Sequence, residues 1–155
     1  MAKLTTGDRA PAFGLKDQDG ELVRLSHFRG QRVLLYFYPK ADTSGCTAQA
    51  CSVRDSAAEL KAAGVVPLGV SPDPPDKQAR FDGKYSLGFR LLSDPEHKAA
   101  EAYGVWAEKS MYGRKYFGIV RSSFLIDARG KVIEAWYKVK PADTVPKALA
   151  AIEGD

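Results

Sequence analysis

The stretch FYPKADTSGCTAQAC, Phe37 to Cys51, holds both cysteines of the chain, Cys46 and Cys51. Four residues separate them, where a redox C-x-x-C pair has two. A thiolate can be a nucleophile, a metal ligand or half of a disulfide, so the first question is which of these the neighbours permit. A structural zinc needs four ligands, often in paired short spacings. Besides the cysteines the chain offers only His27 and His97, each isolated, so no metal site is expected. No local signature supports a Cys–His pair of the protease kind. What remains is inert buried thiols or a working dithiol.

The elements around the cysteines favour chemistry at Cys46. RVLLYFY (Arg32–Tyr38) is a compact apolar and aromatic run and reads as a buried strand. Pro39 keeps Tyr38 extended and turns the chain. A helix then fits Ser44 to Ala63, with Thr43 or Ser44 as cap, Ala50, Val53, Ala57 and Leu60 as its apolar stripe, and Gly64 as terminator. With Thr43 as cap, Cys46 sits in the first turn, beside unpaired backbone N–H groups and the positive end of the helix dipole. Such a position favours the thiolate. Cys46 also shares the face of Ala50 and points toward the sheet.

Cys51 lies ~140° further around the same helix and ~7.5 Å along it, which puts the two Cα atoms ~8.6 Å apart. Bridging is excluded beyond ~7 Å without backbone movement. An intact helix thus forbids a Cys46–Cys51 disulfide.

The rest of the chain supplies a scaffold. FGLKDQDGELVRLSHF alternates around Asp19-Gly20 as an N-terminal hairpin. GVVPLGVS (Gly64–Ser71) reads as a second buried strand, which Pro67 places off-centre. DPPDKQARFDGKYSL reads as a helix with prolines at its start. A short strand and a helix from Pro95 to Tyr103 follow. SSFLIDARGKVIEAWYKV then gives two strands around Asp127–Gly130, and DTVPKALAAI a closing helix. This order predicts an α/β fold of thioredoxin-like type, with a central mixed sheet flanked by helices and an N-terminal hairpin extension. A flavodoxin-like sheet is disfavoured by the late hairpin.

With 155 residues, no repeat and no linker, one domain over residues 1–155 is expected. The N-terminus has no apolar run resembling a leader, and no stretch reaches membrane-spanning length, so a cytoplasmic protein without a membrane role is expected. The net charge of +4, from 23 basic and 19 acidic residues, is spread out, with modest clusters at 109–115 and 138–147. That is no nucleic-acid stripe; it fits a solvated face or a docking surface for an acidic protein.

The active-site stretch resembles the peroxiredoxin loop Pro-x-x-x-Thr/Ser-x-x-Cys, here Pro39, Thr43 and Cys46, and the second cysteine resembles the bacterioferritin comigratory protein or Q-type subgroup. GDRAPAFGLKDQDG, LSHFRG, GVSPD, LLSDP, YGVWAEKSMYGRKYFGIVRSSFLID and GKV extend the likeness over nearly the whole chain. Ser44 departs from it, standing where the subgroup usually has proline. The resemblance implies a thioredoxin-fold peroxidase for hydrogen peroxide and organic hydroperoxides. It makes Cys46 the peroxidatic and Cys51 the resolving cysteine, joined in an intramolecular disulfide during turnover. Pro39 and Thr43 would shape the pocket, Arg121 would stabilise the thiolate and the breaking O–O bond, Gly45 would admit substrate to the backbone, and Gln49 would help hold the loop. It also implies a monomer with no cofactor, recycled by thioredoxin or a glutaredoxin-like dithiol donor. The alternative is a redox sensor or thiol–disulfide oxidoreductase acting on a protein client.

Overall fold

The computed structural model describes residues 3–153. The expected domain span of 1–155 therefore includes four terminal residues outside the described ones. Nine strands are described: β1 Gly14–Lys16, β2 Leu22–Arg24, β3 Arg32–Phe37, β4 Val65–Ser71, β5 Arg90–Ser93, β6 Trp106–Met111, β7 Arg114–Ile119, β8 Ser122–Ile126 and β9 Val132–Trp136. Five α-helices accompany them: α1 Ser44–Asp55, α2 Ala57–Ala62, α3 Pro75–Tyr85, α4 Lys98–Ala102 and α5 Thr144–Glu153. Seven strands form one mixed sheet in the order β2-β1-β5-β4-β3-β8-β9. Its β3–β4 and β4–β5 pairs are parallel, and its β8 and β9 pairings are antiparallel. This is the expected architecture, including the hairpin of β1 and β2.

Between β4 and β8 lies β3, whose run is almost unbroken in apolar residues because both of its faces are covered. Strand alternation divides it between two cores. Val33, Leu35 and Phe37 enter one with Leu92, Tyr103 and Phe124. Leu34, Tyr36 and Tyr38 enter the other with Cys46, Ala50, Val53, Phe81 and Val145. The second core thus binds α1, α3 and α5 to one face of the sheet. Contrary to the off-centre place expected from Pro67, β4 is the fourth of the seven strands, and the proline sits there without breaking a ladder. It faces β5, whose pairing with β4 starts one residue later, at Leu68↔Arg90, so its missing N–H leaves no gap.

Three further local expectations need correcting. The helix over 44–63 is two helices, joined at Ser56 (φ −100°, ψ 11°), and Ala57 turns out of the expected stripe into solvent. Serine competes with helical bonding, and the joint falls on it. The helix expected from Pro95 begins instead at Lys98, because His97 takes a left-handed conformation and stacks on Trp106 at 3.6 Å. Asp94 caps that helix from upstream, accepting from the Ala99 and Ala100 N–H groups. Finally, β6 and β7 form a separate two-stranded hairpin that the sequence reading left unassigned. Its turn residues Tyr112 and Gly113 both have positive φ, the geometry of a two-residue type I′ connection. Tyrosine there carries none of the usual turn signal.

Gly69 of β4 shows how tightly the second core is filled. A Cβ there would lie 2.9 Å from the Tyr36 hydroxyl and 3.1 Å from the Tyr38 ring, both buried. The Tyr36 hydroxyl has no hydrogen-bond partner among the described residues. Gly69→Ala is therefore expected to lower the unfolding free energy by about 1–3 kcal/mol in urea titrations. Tyr36→Phe, which removes the clashing oxygen without breaking a bond, should recover part of that loss. An additive double mutant would refute the contact as the cause.

Candidate active site

Cys46 is placed by the junction of β3 and α1. The connecting loop is short and pinned. The Ala41 N–H donates to Asp73 at 2.7 Å, and Asp42, in a left-handed conformation, accepts from Lys84 at 3.0 Å and from the Tyr85 hydroxyl at 2.9 Å. The bond from Lys84, with help from Tyr85, lowers the Asp42 pKa and keeps this exposed anchor ionised. Pro39 begins the loop, half-buried. The Thr43 hydroxyl closes it by donating to the Lys40 carbonyl at 2.9 Å.

Thr43 is the N-cap by backbone conformation, yet its side chain caps nothing. The Thr47 N–H donates to the Thr43 carbonyl, and the amides of Ser44, Gly45 and Cys46 lie ahead of this bond in the first turn. Ser44 occupies the first helical position, where proline is readily accepted, so the departure from the subgroup pattern adds one N–H and leaves the turn intact.

Within this turn the Cys46 side chain is 1 % exposed, on the helix face turned to the sheet, and its thiol is free. Arg121, between β7 and β8, reaches it from the sheet. Its Nη2 donates to Cys46 Sγ at 3.4 Å, and its Nη1 to Gln49 Oε1 at 2.6 Å. The guanidinium fork thus spans two successive positions on one face of α1. Gln49 is held in turn: its Nε2 donates to Thr144 Oγ1 at 2.8 Å, and Thr144 Oγ1 shares a 2.9 Å bond with Ser123 Oγ. Gln49, Thr144 and Ser123 are all buried. The Arg121 backbone is fixed as well, its carbonyl accepting from the Val139 N–H at 2.9 Å.

Gly45 makes this approach possible. A Cβ there would come within 3.0 Å of Arg121 Nη2 and 3.6 Å of Pro141, so the guanidinium and Pro141 occupy the space that its missing side chain leaves. Lys109 of β6 adds a further cation nearby. Burial and the Arg121 charge lower its pKa, while Cys46 acts in the opposite sense. Cys51, half-buried in the same helix, is also a free thiol.

Of the residues singled out from the sequence, the structure brings Cys46, Arg121 and Gln49 into direct contact. Pro39 and Thr43 frame the loop, and among the described residues neither hydrogen-bonds to Cys46. Sequence reasoning missed Thr144 and Ser123, which support Gln49, and Lys109. No spacing links them to Cys46; only their polarity within apolar runs marked them. A buried sulfur that accepts from one arginine, lies beside the amides of a helix start and has no carboxylate among its hydrogen-bonding partners in the described residues is suited to attacking a neutral electrophile and to stabilising a departing anion.

The chain is similar to known proteins in sequence and in fold. Residues 6–135 match the model of the AhpC/TSA family. The chain is 59% identical to peroxiredoxin Bcp of Escherichia coli (strain K12) over 132 residues, 85% of each chain. It is 47% identical to peroxiredoxin Bcp of Bacillus subtilis (strain 168) over 150 residues, 97% of this chain and 96% of that one. The bacterioferritin comigratory protein of Xanthomonas campestris, whose trapped intermediate and ligand complexes concern alkyl peroxide reduction, superposes with a TM-score of 0.86 at 35% identity, over 92% of this chain and 90% of the other.

The contact between Arg121 and Cys46 generates a quantitative expectation. Arg121→Gln should slow peroxide oxidation of Cys46 by about 10²–10³-fold, the cost of removing one donor from a charge-stabilising site. Arg121→Lys should restore only part of that rate, because a point charge cannot span Cys46 and Gln49 together. Stopped-flow oxidation at matched thermal stability measures both. Full activity in Arg121→Lys would show that the fork is dispensable.

Proposed function

Since the chain belongs to the AhpC/TSA family and is a peroxiredoxin of the Bcp/Q type, a thiol-dependent peroxidase, we propose that Cys46 is its peroxidatic cysteine, Cys51 its resolving cysteine, and hydrogen peroxide and organic hydroperoxides its substrates. The observation that carries this reading is the 3.4 Å contact from Arg121 to a thiol buried in the first turn of α1. Alkyl peroxide reduction by the Xanthomonas relative supports the substrate class.

The geometry supports the following cycle. The Cys46 thiolate attacks the distal peroxide oxygen; an S–O bond forms, the O–O bond breaks, and an alkoxide or hydroxide leaves and takes a proton. Arg121 and the amides of Gly45 and Cys46 hold the oxygens in line and offset the negative charge as it moves outward. Thr43 and Pro39 shape the mouth of the pocket from the loop. The sulfenic acid on Cys46 then meets the Cys51 thiol, giving a disulfide and water. Because both residues lie in α1, that step requires the first turns to unwind.

A dithiol donor, thioredoxin or a glutaredoxin-like protein, returns both thiols to the reduced state by exchange. We assign the whole cycle to one domain and one chain, a monomer, since both cysteines are present in it. The setting is the reducing cytoplasm, without nucleic acid, membrane, metal or organic cofactor. No helix among the described residues is long and apolar enough to cross a membrane.

Peroxide consumption coupled to thioredoxin, thioredoxin reductase and NADPH tests the assignment. Cys46→Ser should abolish turnover. Cys51→Ser should keep the first oxidation of Cys46 but lose thioredoxin-linked cycling. Turnover surviving in Cys46→Ser would overturn the nucleophile, and full cycling in Cys51→Ser would overturn the resolver.

A further inference from the structure

The β6–β7 hairpin is the part of the molecule that the peroxidase chemistry leaves unexplained. It pairs with no other strand, and among the described residues it carries four of the five exposed large apolar side chains. Met111 is 55% exposed, Tyr116 42%, Phe117 60%, and Tyr112 at the turn 99%. The register divides them between two faces: Met111 and Tyr116 share one with Arg114 and Lys109, while Phe117 stacks on Trp106 on the other, where Lys115 pairs with Glu108. The first face, apolar and basic with no acidic residue of the hairpin on it, has the character of an interaction surface.

The hairpin also adjoins the reacting sulfur. After Ile119 the chain passes through Val120, whose N–H is tied to the Val105 carbonyl at 2.8 Å, directly to Arg121. The stem of Lys109 lies along Gly118, which leaves room for it, 3.5 Å from where a Cβ would be. Lys109 shares the electrostatic field of Cys46 and Arg121. Whatever binds the hairpin is therefore held beside the active-site helix.

We propose that the β6–β7 hairpin is the docking surface for the dithiol protein that reduces the oxidised enzyme, a partner whose own thiol is rimmed by apolar and acidic side chains. The inference rests on the reading that a Cys46–Cys51 disulfide is recycled by such a protein. In that exchange the partner's thiolate attacks the disulfide, one cysteine leaves as a thiolate and takes a proton, and the partner's second thiol displaces the other. Two electrons pass, and the partner ends as a disulfide. The step requires the two proteins to hold three sulfurs in line, and a basic apolar ribbon next to Cys46 supplies both attraction and a seat. A protein partner is favoured over a lipid surface because contact with the disulfide, not access to a bilayer, is what the hairpin's position provides.

Steady-state turnover with a thioredoxin of net negative charge, compared with turnover driven by dithiothreitol, tests this. Met111→Ser/Tyr116→Ser and Arg114→Glu should each raise the KM for thioredoxin by ~10-fold or more, the loss expected for interface anchors. Their dithiothreitol-driven rates should match the wild type. The wild-type KM should also rise with salt, and less so in the charge variant. Unchanged KM values in both variants, equal losses with dithiothreitol, or a wild type no more efficient with thioredoxin than with dithiothreitol would each overturn the proposal. So would unchanged KM values accompanied by lost binding to phosphatidylcholine–phosphatidylglycerol vesicles, or by lost self-association in sedimentation velocity. These results would assign the surface to lipid or to a second copy. Failure of the underlying peroxidase reading is separable, because Cys46→Ser would then retain dithiothreitol-driven peroxide consumption.

Discussion

In the proposed reaction a buried sulfur must carry negative charge, and much of the molecule is arranged around that constraint. Cys46 is almost wholly removed from solvent, and an isolated anion in such a place is strongly disfavoured. Two sources of positive potential act on it, the start of α1 and the Arg121 guanidinium. Both are held from outside while α1 is helical. The guanidinium is locked through Gln49 to Thr144 and Ser123, so β8 and the first residue of α5 both help to aim a donor at one sulfur. The absence of side chains at Gly45 and Gly69 serves the same end, the first by admitting Arg121 and the second by letting the aromatic floor close beneath α1.

Much of this arrangement was legible in the sequence, and the reasons differ by element. The strand at Arg32–Phe37 was plain because burial on both faces demands an unbroken apolar run. The helix start at Ser44 was plain because a proline-closed strand followed by small and capping residues permits little else. Cys46 followed from its place in that first turn. The link from Arg121 to Cys46 came only through resemblance, since they lie 75 positions apart and no periodicity connects a lone arginine to a distant helix. Gln49 was noticed, but Thr144 and Ser123 were not, because a buried hydroxyl among apolar residues looks like any surface serine or threonine until the sheet is assembled. The β6–β7 hairpin escaped for the opposite reason: most of its side chains are exposed, so no alternation marks it, and its turn uses Tyr112 where asparagine or glycine would have been a signal.

The corrected helix boundaries bear on mechanism as well as on description. An unbroken helix from 44 to 63 would spread any unwinding over five turns. With a joint at Ser56, α1 is a separate unit of twelve residues, pinned at both ends from outside. Its leading loop is held by Asp42 to Lys84 and Tyr85, and its trailing end by Arg54, which donates to the Tyr85 carbonyl at 2.7 Å. Both anchors converge on the end of α3. The part of the chain that must rearrange for disulfide formation is thereby confined to the residues between them.

Gln49 lies between the two cysteines in that segment, and this gives the proposed cycle an internal logic. While α1 is helical, Gln49 holds Arg121 in the pose that supports attack on peroxide, and Cys51 is too far away to reach a sulfenic acid on Cys46. If the first turns unwind, Gln49 leaves Thr144 and Arg121 together, so the geometry for attack and the geometry for resolution exclude one another. The bonds that Gln49 makes are charge-assisted on one side and buried on the other, and each is worth of order 1–3 kcal/mol. That is enough to keep the reduced state helical, and small enough for the formation of a covalent S–S bond to overcome. A resolving cysteine placed three residues on would need less rearrangement and could meet the Cys46 sulfenic acid without the first turns opening. The five-residue spacing separates the two events through the helix itself.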